Sequence, residues 1–170
     1  LVNHLSKRQD IEIVFSHENV RLETAGGILN AIHHVGNKPI YVISSDVVWE
    51  DTGVPALEKL AQNWSDDLVA LLCLQRVAKS YGYDGQGDFN MDSSGNLSWR
   101  EENKPADFVF TGLQILNPQV FQKPEVKGMG TNFALNKIYR AFLPQIKGVE
   151  NDGMWYHIGT PEALYNMPKI

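Results

Sequence analysis

The amino-acid sequence predicts an α/β protein with a Rossmann-like, three-layer αβα organisation around a mainly parallel, mixed sheet. One observation is that short apolar runs, typical of buried strands, alternate along the chain with stretches in which apolar residues recur at helical spacing. A second is that 170 residues, 43% hydrophobic and 21% charged, have the size and composition of one globular domain. We therefore expect a single domain over residues 1–170, with a small β-rich insertion around residues 81–110.

The first third of the chain supplies the first alternating elements. Ile11–Phe15 alternates apolar and polar residues and predicts a short strand. A turn over residues 22–27 then leads into a helix that ends at Gly36. Residues 40–43 are continuously apolar, which predicts a strand buried on both faces, with Asp46 just beyond its carboxyl end.

The rest of the chain continues this alternation. Apolar spacing predicts helices over residues 57–64 and 135–142, apolar runs predict strands over residues 68–77 and 108–116, and polar residues predict a hairpin turn at 92–96. Near the end of the chain, Thr160 is a typical N-cap, Pro161 suits the first helical position, and Glu162 suits the first turn. A final helix is therefore expected after Thr160.

Charge and cysteine content exclude several classes of partner. The 20 acidic and 15 basic residues give a net charge of −5, which does not favour binding to nucleic acid or to an anionic membrane surface. No apolar run is long enough to span a bilayer. Cys73 is the only cysteine, so no disulfide can form within the chain, and we expect a cytoplasmic location.

Four residues, at three places along the chain, have side chains or backbone suited to binding a ligand. Asp46 follows a strand at the sheet edge where ligands collect in α/β folds, and its carboxylate suits Mg²⁺, although an Asx turn or a helix cap would place an aspartate there equally well. Gly26 and Gly27 precede a helix and could bring backbone N–H groups to a phosphate, or form only a tight turn. His157 precedes a helix start and could face the same cleft as Asp46, or be a surface or packed imidazole.

Five segments, taken in order, resemble the sugar-1-phosphate nucleotidylyltransferase family. They are residues 22–28 (LETAGGI), 44–47 (SSDV), 87–89 (GDF), 110–116 (FTGLQIL) and 155–162 (WYHIGTPE). The resemblance extends from Ile11 to Leu164 and is strongest to a compact bacterial subgroup. It implies transfer of a nucleoside monophosphate from a nucleoside triphosphate to a sugar 1-phosphate, with release of pyrophosphate.

The resemblance also implies residue roles. Asp46 would be the catalytic residue and the main Mg²⁺ ligand, and His157 stands where the family places a second metal-binding carboxylate. The nucleotide-binding residues would be Thr24, Ala25, Gly26 and Gly27, and the sugar-binding residues would be Thr111, Gly112, Glu102 and Lys104. Because imidazole binds Mg²⁺ less well than a carboxylate does, we expect weaker metal binding or a contact through water.

Two family signatures do not occur in the sequence. These are the Gly-x-Gly-Thr-Arg loop and the Pro-Lys-Pro lysine, which grip the triphosphate in the family. We therefore expect the chain to lack N-terminal βα units, to have little or no activity alone, and to expose apolar surface near its N-terminus that a missing segment or a homodimer partner would cover. The alternative is a non-catalytic homologue that binds nucleotides or sugar phosphates.

Overall fold

The computed structural model describes residues 2–168, and these form two compact units. One comprises the described residues up to Lys38 together with Pro118–Ile138, and the other comprises Pro39–Asn117 together with the described residues from Tyr139 onward. The assignment of one domain to residues 1–170 stays a prediction.

The described residues contain both α-helices and strands, as the sequence predicts, but they alternate only in part, because the strands over residues 70–116 follow one another without an intervening α-helix. The helices are α1 (Val2–Leu5), α2 (Glu23–Val35), α3 (Ala56–Asn63), α4 (Pro124–Lys127), α5 (Leu135–Ala141) and α6 (Pro161–Asn166). The strands are β1 (Ile40–Ile43), β2 (Val47–Glu50), β3 (Ala70–Arg76), β4 (Ser80–Tyr81), β5 (Phe89–Met91), β6 (Leu97–Trp99), β7 (Phe108–Leu116), β8 (Ile146–Glu150) and β9 (Met154–His157). Helix α6 begins as expected, since the Thr160 hydroxyl accepts a hydrogen bond from the N–H of Ala163 at 3.1 Å.

The first unit departs from the sequence prediction at two places. The strand expected at Ile11–Phe15 is wrong: this segment has no regular secondary structure, and Ile11, Val14 and Phe15 are 58%, 55% and 41% exposed. Alternation specifies a buried face only when a neighbouring strand pairs with the segment, and none of the described residues does so. The turn expected over residues 22–27 is also wrong, because helix α2 already begins at Glu23.

The second unit is built on a mixed six-stranded sheet, which confirms the α/β class. The strand order is β6-β5-β7-β3-β8, with β1 also paired to β7. Strands β3 and β8 are parallel, whereas β7 runs antiparallel to β1, β3 and β5. The β5–β6 hairpin reverses the chain before β7 and forms the expected β-rich insertion. The Asp92 carboxylate closes its turn by accepting hydrogen bonds from the N–H groups of Ser94 and Asn96.

Helical residues cover both faces of this sheet. On one face, Leu60 of α3 packs into a core formed with Leu71 and Leu113 of the sheet. On the other, the buried Tyr139 hydroxyl donates to Oε1 of Gln114 at 2.8 Å. These contacts give the second unit the three layers that the sequence predicts.

Strand β1 differs from its prediction in burial. Its alternate side chains, Tyr41 and Ile43, are 46% and 44% exposed, so the expectation of burial on both faces is wrong. Within the described residues β1 pairs with β7 alone, and it is therefore an edge strand of this sheet.

A second, three-stranded sheet in the same unit has the order β2-β9-β4. Strands β2 and β9 pair antiparallel, so that Val47 lies opposite His157. This register brings the turn that precedes β2 beside the end of β9. No helix among residues 2–168 combines the length and the apolar character needed to cross a bilayer.

Candidate active site

A cavity of about 240 Å³ in the second unit brings together four of the residues singled out from the sequence. These are Asp46, Thr111, Gly112 and His157, which line it together with Tyr83 and Asp88. The expectation that His157 faces the same cleft as Asp46 is consistent with this arrangement. The volume suits a ligand fragment rather than a whole nucleoside triphosphate.

The turn between β1 and β2 fixes Asp46. The N–H of Ser44 donates to the carbonyl of Gly112 at 2.9 Å, and the carbonyl of Asp46 accepts from the N–H of Ile158 at 2.9 Å. Gly112 lies in an irregular part of β7 with a φ of +85°, where a Cβ would be 2.7 Å from the Ser44 side chain. Glycine is therefore required for the close approach that positions Asp46.

The carboxylate of Asp46 makes no hydrogen bond to the backbone of residues 2–168. Within the described residues it accepts no hydrogen bond, which does not support the alternative of an Asx turn or a helix cap, and its side chain is 53% exposed. The imidazole of His157 lies beside it, with Nε2 3.7 Å from Oδ2 of Asp46. The carboxylate is thus available to a ligand in the cavity.

The imidazole of His157 is held from its other side. Nδ1 lies 3.3 Å from the carbonyl oxygen of Gly82, and the ring stacks on Trp155 with centroids 6.0 Å apart and planes inclined by 22°. Trp155 is itself buried, and its Nε1–H donates to the carbonyl of Thr111 at 2.9 Å. These contacts orient Nε2 toward Asp46.

Thr111 is buried and its polar groups are engaged within the protein. The hydroxyl donates to the carbonyl of Cys73 at 2.8 Å and accepts from the N–H of Leu113 at 3.2 Å. Its carbonyl accepts from Trp155, so Thr111 ties β7 to both β3 and β9. A sugar-binding role for Thr111 stays a prediction.

Sequence reasoning assigned no role to Tyr83 or Asp88, although both line the cavity. The Tyr83 hydroxyl accepts from the N–H of Gly87 at 3.1 Å, and Oδ2 of Asp88 accepts from the N–H of Phe110 at 2.9 Å. Burial raises the pKa of Tyr83, and the negative charge of Asp88 raises it further. The sequence feature that could have indicated a site here is the glycine-rich stretch around these residues, because glycines let a loop approach a site closely.

Glu102 and Lys104 lie elsewhere, in the connection between β6 and β7. Both are exposed and neither lines the cavity. The ammonium group of Lys104 pairs with Glu101 at 2.6 Å. Their sugar-binding role stays a prediction.

The predicted nucleotide-binding residues lie in the first unit, at the start of α2. The N–H groups of Ala25 and Gly26 both donate to the carbonyl of Phe133, at 3.0 and 3.1 Å, and Thr24 Oγ1 accepts from the N–H of Leu135 at 3.1 Å. Thr24 and Gly27 line an open depression of about 520 Å³ within this unit. The N–H groups of Ala25 and Gly26 already have a protein partner, and nucleotide binding by this segment stays a prediction.

Two side chains in the cavity could hold a divalent metal ion. Among residues 2–168 there is no group of three or more His, Cys, Asp or Glu side chains suited to a metal, so Asp46 and His157 act as a pair. A carboxylate oxygen and an imidazole nitrogen fit a divalent ion whose other ligands are phosphate oxygens and water. The pair is therefore compatible with a metal-dependent site.

The sequence of the chain matches a family of nucleotidyl transferases. Residues 1–169 match the sequence model of the family described as Nucleotidyl transferase, and the chain belongs to that family. An N-acetylmuramate alpha-1-phosphate uridylyltransferase from Caulobacter vibrioides is 28% identical in a match 155 residues long that covers 89% of this chain and 62% of that protein. A mannose-1-phosphate guanylyltransferase catalytic subunit beta from Drosophila pseudoobscura pseudoobscura is 24% identical over 159 residues, covering 89% of this chain and 40% of that protein.

The fold is also found in solved structures. The structure of HddC from Yersinia pseudotuberculosis complexed with GMP-PN superposes with a TM-score of 0.70 at 20% identity, covering 96% of this chain and 70% of that one. This likeness shows the fold. The resemblance to the nucleotidylyltransferases is confirmed by the family match, while the chain spans only 62% and 40% of the two relatives named above.

Proposed function

We propose that this chain forms part of an enzyme that transfers a nucleoside monophosphate from a nucleoside triphosphate to a sugar 1-phosphate. The observation that carries the proposal is the placement of Asp46 and His157 together in a cavity beyond the end of β1, in a chain of the nucleotidyl transferase family. The names of the Caulobacter and Drosophila relatives support uridylyl or guanylyl transfer to a sugar 1-phosphate.

In this reaction an oxygen of the sugar phosphate attacks the α-phosphorus of the nucleoside triphosphate. A new bond forms between that oxygen and the α-phosphorus, the bond to the β-phosphate oxygen breaks, and pyrophosphate leaves. The chemical requirement is neutralisation of clustered negative charge, which a divalent cation such as Mg²⁺ supplies when bound. Asp46 and His157 would hold that cation, and the Gly112–Ser44 contact would keep Asp46 in place.

The substrate contacts complete the proposal. Thr24, Ala25, Gly26 and Gly27 would contribute to the nucleotide site, and Thr111, Gly112, Glu102 and Lys104 to the sugar site. We also propose a cytoplasmic location, consistent with the single cysteine. A homodimer partner or a further N-terminal segment would complete the triphosphate site.

A second candidate is a non-catalytic homologue that binds nucleotides or sugar phosphates. The lack of the Gly-x-Gly-Thr-Arg loop and of the Pro-Lys-Pro lysine in the 170 residues favours it, because these groups grip the triphosphate in the family that the chain resembles. The two candidates differ in what Asp46 does. An enzyme needs its carboxylate for turnover, whereas a binding module needs it only for part of its affinity.

Release of pyrophosphate tests the proposal. The substrates would be UTP with N-acetylmuramate 1-phosphate, or GTP with mannose 1-phosphate, each in the presence of Mg²⁺ or Mn²⁺. We would compare the 170-residue chain with a fusion to the part of the Caulobacter relative outside the matched region. We expect little or no turnover by the chain alone and measurable turnover by the fusion.

Replacing Asp46 in the active fusion separates the two candidates. Asp46→Asn should lower turnover by about 10²- to 10³-fold, the loss typical of removing one group that stabilises the transition state. Asp84→Asn is the matched control, because Asp84 is exposed and does not line the cavity. Equal turnover of the Asp46→Asn variant and the unmodified fusion would favour a non-catalytic role for this site.

A further inference from the structure

The hydrogen bonding of His157 determines where its ring proton lies. The carbonyl oxygen of Gly82 can only accept a hydrogen bond, so Nδ1, 3.3 Å away, must be the donor. In a neutral imidazole only one nitrogen carries a proton. Nε2 therefore presents a lone pair, and it does so toward Oδ2 of Asp46 at 3.7 Å, an atom that is itself only an acceptor.

Two acceptor atoms that face each other are stabilised by a proton, by a water molecule that donates to both, or by a metal ion between or beside them. A proton on Nε2 would give an ion pair, and a metal ion would bind both atoms. The separation of 3.7 Å is less than twice a metal–ligand bond of about 2.1 Å, so one ion can contact Nε2 and Oδ2 together.

Two further contacts favour the metal ion. Histidine ligands of metals typically donate their second ring N–H to a carbonyl or carboxylate, which is the contact that His157 makes with Gly82. In addition, a Cβ on Gly159 would lie 3.0 Å from Nε2 of His157 and 3.4 Å from Oδ2 of Asp46. Glycine therefore leaves the space beside both atoms open.

We propose that Asp46 Oδ2 and His157 Nε2 form a mixed oxygen and nitrogen metal site that binds Mn²⁺ in preference to Mg²⁺. The proposal rests on the proposed function only in taking this cavity as the metal-binding part of the active site. Its chemical basis is that Mg²⁺ favours oxygen ligands strongly, whereas imidazole nitrogen binds first-row transition-metal ions well. Turnover supported by Mn²⁺ would accordingly need less metal than turnover supported by Mg²⁺.

Binding of Mn²⁺ alone to the 170-residue chain tests the proposal without any need for turnover. Free Mn²⁺ is measured by electron paramagnetic resonance at pH 8, and Mg²⁺ is added as competitor. We expect about tenfold or greater preference for Mn²⁺, because the imidazole nitrogen should contribute to the binding of Mn²⁺ and little to that of Mg²⁺. Loss of one well-placed group around a metal typically costs about 10- to 100-fold in affinity. Pulsed measurements on the bound Mn²⁺ should detect a directly coordinated nitrogen.

Two substitutions identify the donors. His157→Asp should abolish the nitrogen signal and lower the preference for Mn²⁺ over Mg²⁺ by about tenfold. His17→Asp makes the same change in side chain at an exposed histidine that does not line the cavity, and it should leave both quantities unchanged. Asp46→Asn should weaken binding of both metals.

Gly159→Ala provides a variant that keeps both donors. The methyl group would crowd Nε2 and Oδ2, so Mn²⁺ affinity should fall about tenfold while the circular dichroism spectrum stays that of the unmodified chain. This variant keeps the proposal testable if His157→Asp does not fold.

The outcomes separate this proposal from the proposed function. Mn²⁺ binding without a coordinated nitrogen, or a Mn²⁺ to Mg²⁺ preference that is the same in the His157→Asp variant, would overturn the mixed site, even if the fusion released pyrophosphate. A coordinated nitrogen that disappears in the His157→Asp variant would support the mixed site, even if no turnover were found.

Discussion

The start of helix α2 in the first unit and the cavity of the second unit both carry groups that the sequence marks as ligand-binding. They differ in how the fold uses those groups. At the helix start, the N–H groups of Ala25 and Gly26 are donors, and the carbonyl of Phe133 accepts from both. In the cavity, Oδ2 of Asp46 and Nε2 of His157 face each other at 3.7 Å with no protein donor between them in the described residues.

This contrast has a physical meaning. A polar group that is paired within the protein contributes to the structure and is not available to a ligand, whereas the Asp46 carboxylate is 53% exposed and open to one. A motif therefore predicts binding only when the fold leaves its polar atoms free. On this criterion the cavity of the second unit is the stronger candidate site.

The largest expected effect comes from filling the space at the helix start. A Cβ at residue 26 would overlap the backbone carbonyl oxygen of Thr131, which cannot move without displacing its own segment. Gly26→Ala should lower the free energy of unfolding by about 1–3 kcal/mol, the usual cost of overpacking. Urea denaturation followed by circular dichroism measures it.

Gly27→Ala is the matched control in the same helix. Its Cβ would be 2.6 Å from Oε1 of Glu18, the tip of a flexible side chain that can turn away. Because alanine favours helix by about 1 kcal/mol over glycine, this variant should be neutral or slightly more stable. Equal destabilisation of the two variants would mean that the helix start is not held closely by residues 131–133, and the contrast with the cavity would fail.

The second prediction concerns the cavity. Gly112→Ala would place an alanine at a φ of +85° and a Cβ 2.7 Å from the Ser44 side chain. We expect a loss of about 1–2 kcal/mol from the left-handed backbone and a weaker affinity for Mn²⁺, because the turn that carries Asp46 must shift. Urea denaturation and Mn²⁺ titration measure the two effects.

Gly53→Ala separates the backbone effect from the contact. Gly53 has a similar φ of +77°, but its Cβ would meet nothing within 4 Å. It should lose similar stability, about 1 kcal/mol, and keep its Mn²⁺ affinity. A Gly112→Ala variant with unchanged Mn²⁺ affinity would show that the Ser44 contact does not position Asp46.

The sequence predicted most of the regular structure of the second unit. Strands β3 and β7 are long apolar runs, and helix α6 carries a complete start signal, so local residues determine each of them. The failures at Ile11–Phe15 and at β1 have a different cause. Whether an apolar run becomes a strand, and how deeply it is buried, depends on partners that local pattern does not specify.

The candidate site was also predictable only in part. The position of Asp46 beyond a strand followed from the chain pattern. The hydrogen bonds of the Thr111 hydroxyl within the protein could not be predicted, because its partners are backbone groups of Cys73 and Leu113, and backbone contacts have no sequence signature. The role of Gly82 in orienting His157 is likewise a backbone contact.

Thr111 provides the third prediction. Thr111→Val keeps the side-chain shape but removes the hydroxyl, leaving the carbonyl of Cys73 and the N–H of Leu113 without this partner. Unfolding free energy should fall by about 1–3 kcal/mol, the cost of unpaired buried polar groups. Thr111→Ser keeps the hydroxyl and should lose less. A Thr111→Val variant of normal stability but weakened sugar-phosphate binding would instead assign the hydroxyl to substrate.

The smallest expected effect lies in the core behind the cavity, at Cys73. Burial raises the pKa of this thiol to about 11 from a usual value of 9.0, so the folded protein favours the neutral thiol. The resulting stabilisation is fully present below pH 9 and is lost as the pH rises toward 11, because the unfolded chain ionises first. Unfolding free energies of the unmodified chain and of Cys73→Ala, compared between pH 8 and pH 10, should converge by about 1 kcal/mol. A constant difference between the two unfolding free energies over this range would show that Cys73 is open to water. The core behind the cavity would then be less closed than the contacts of Thr111 indicate.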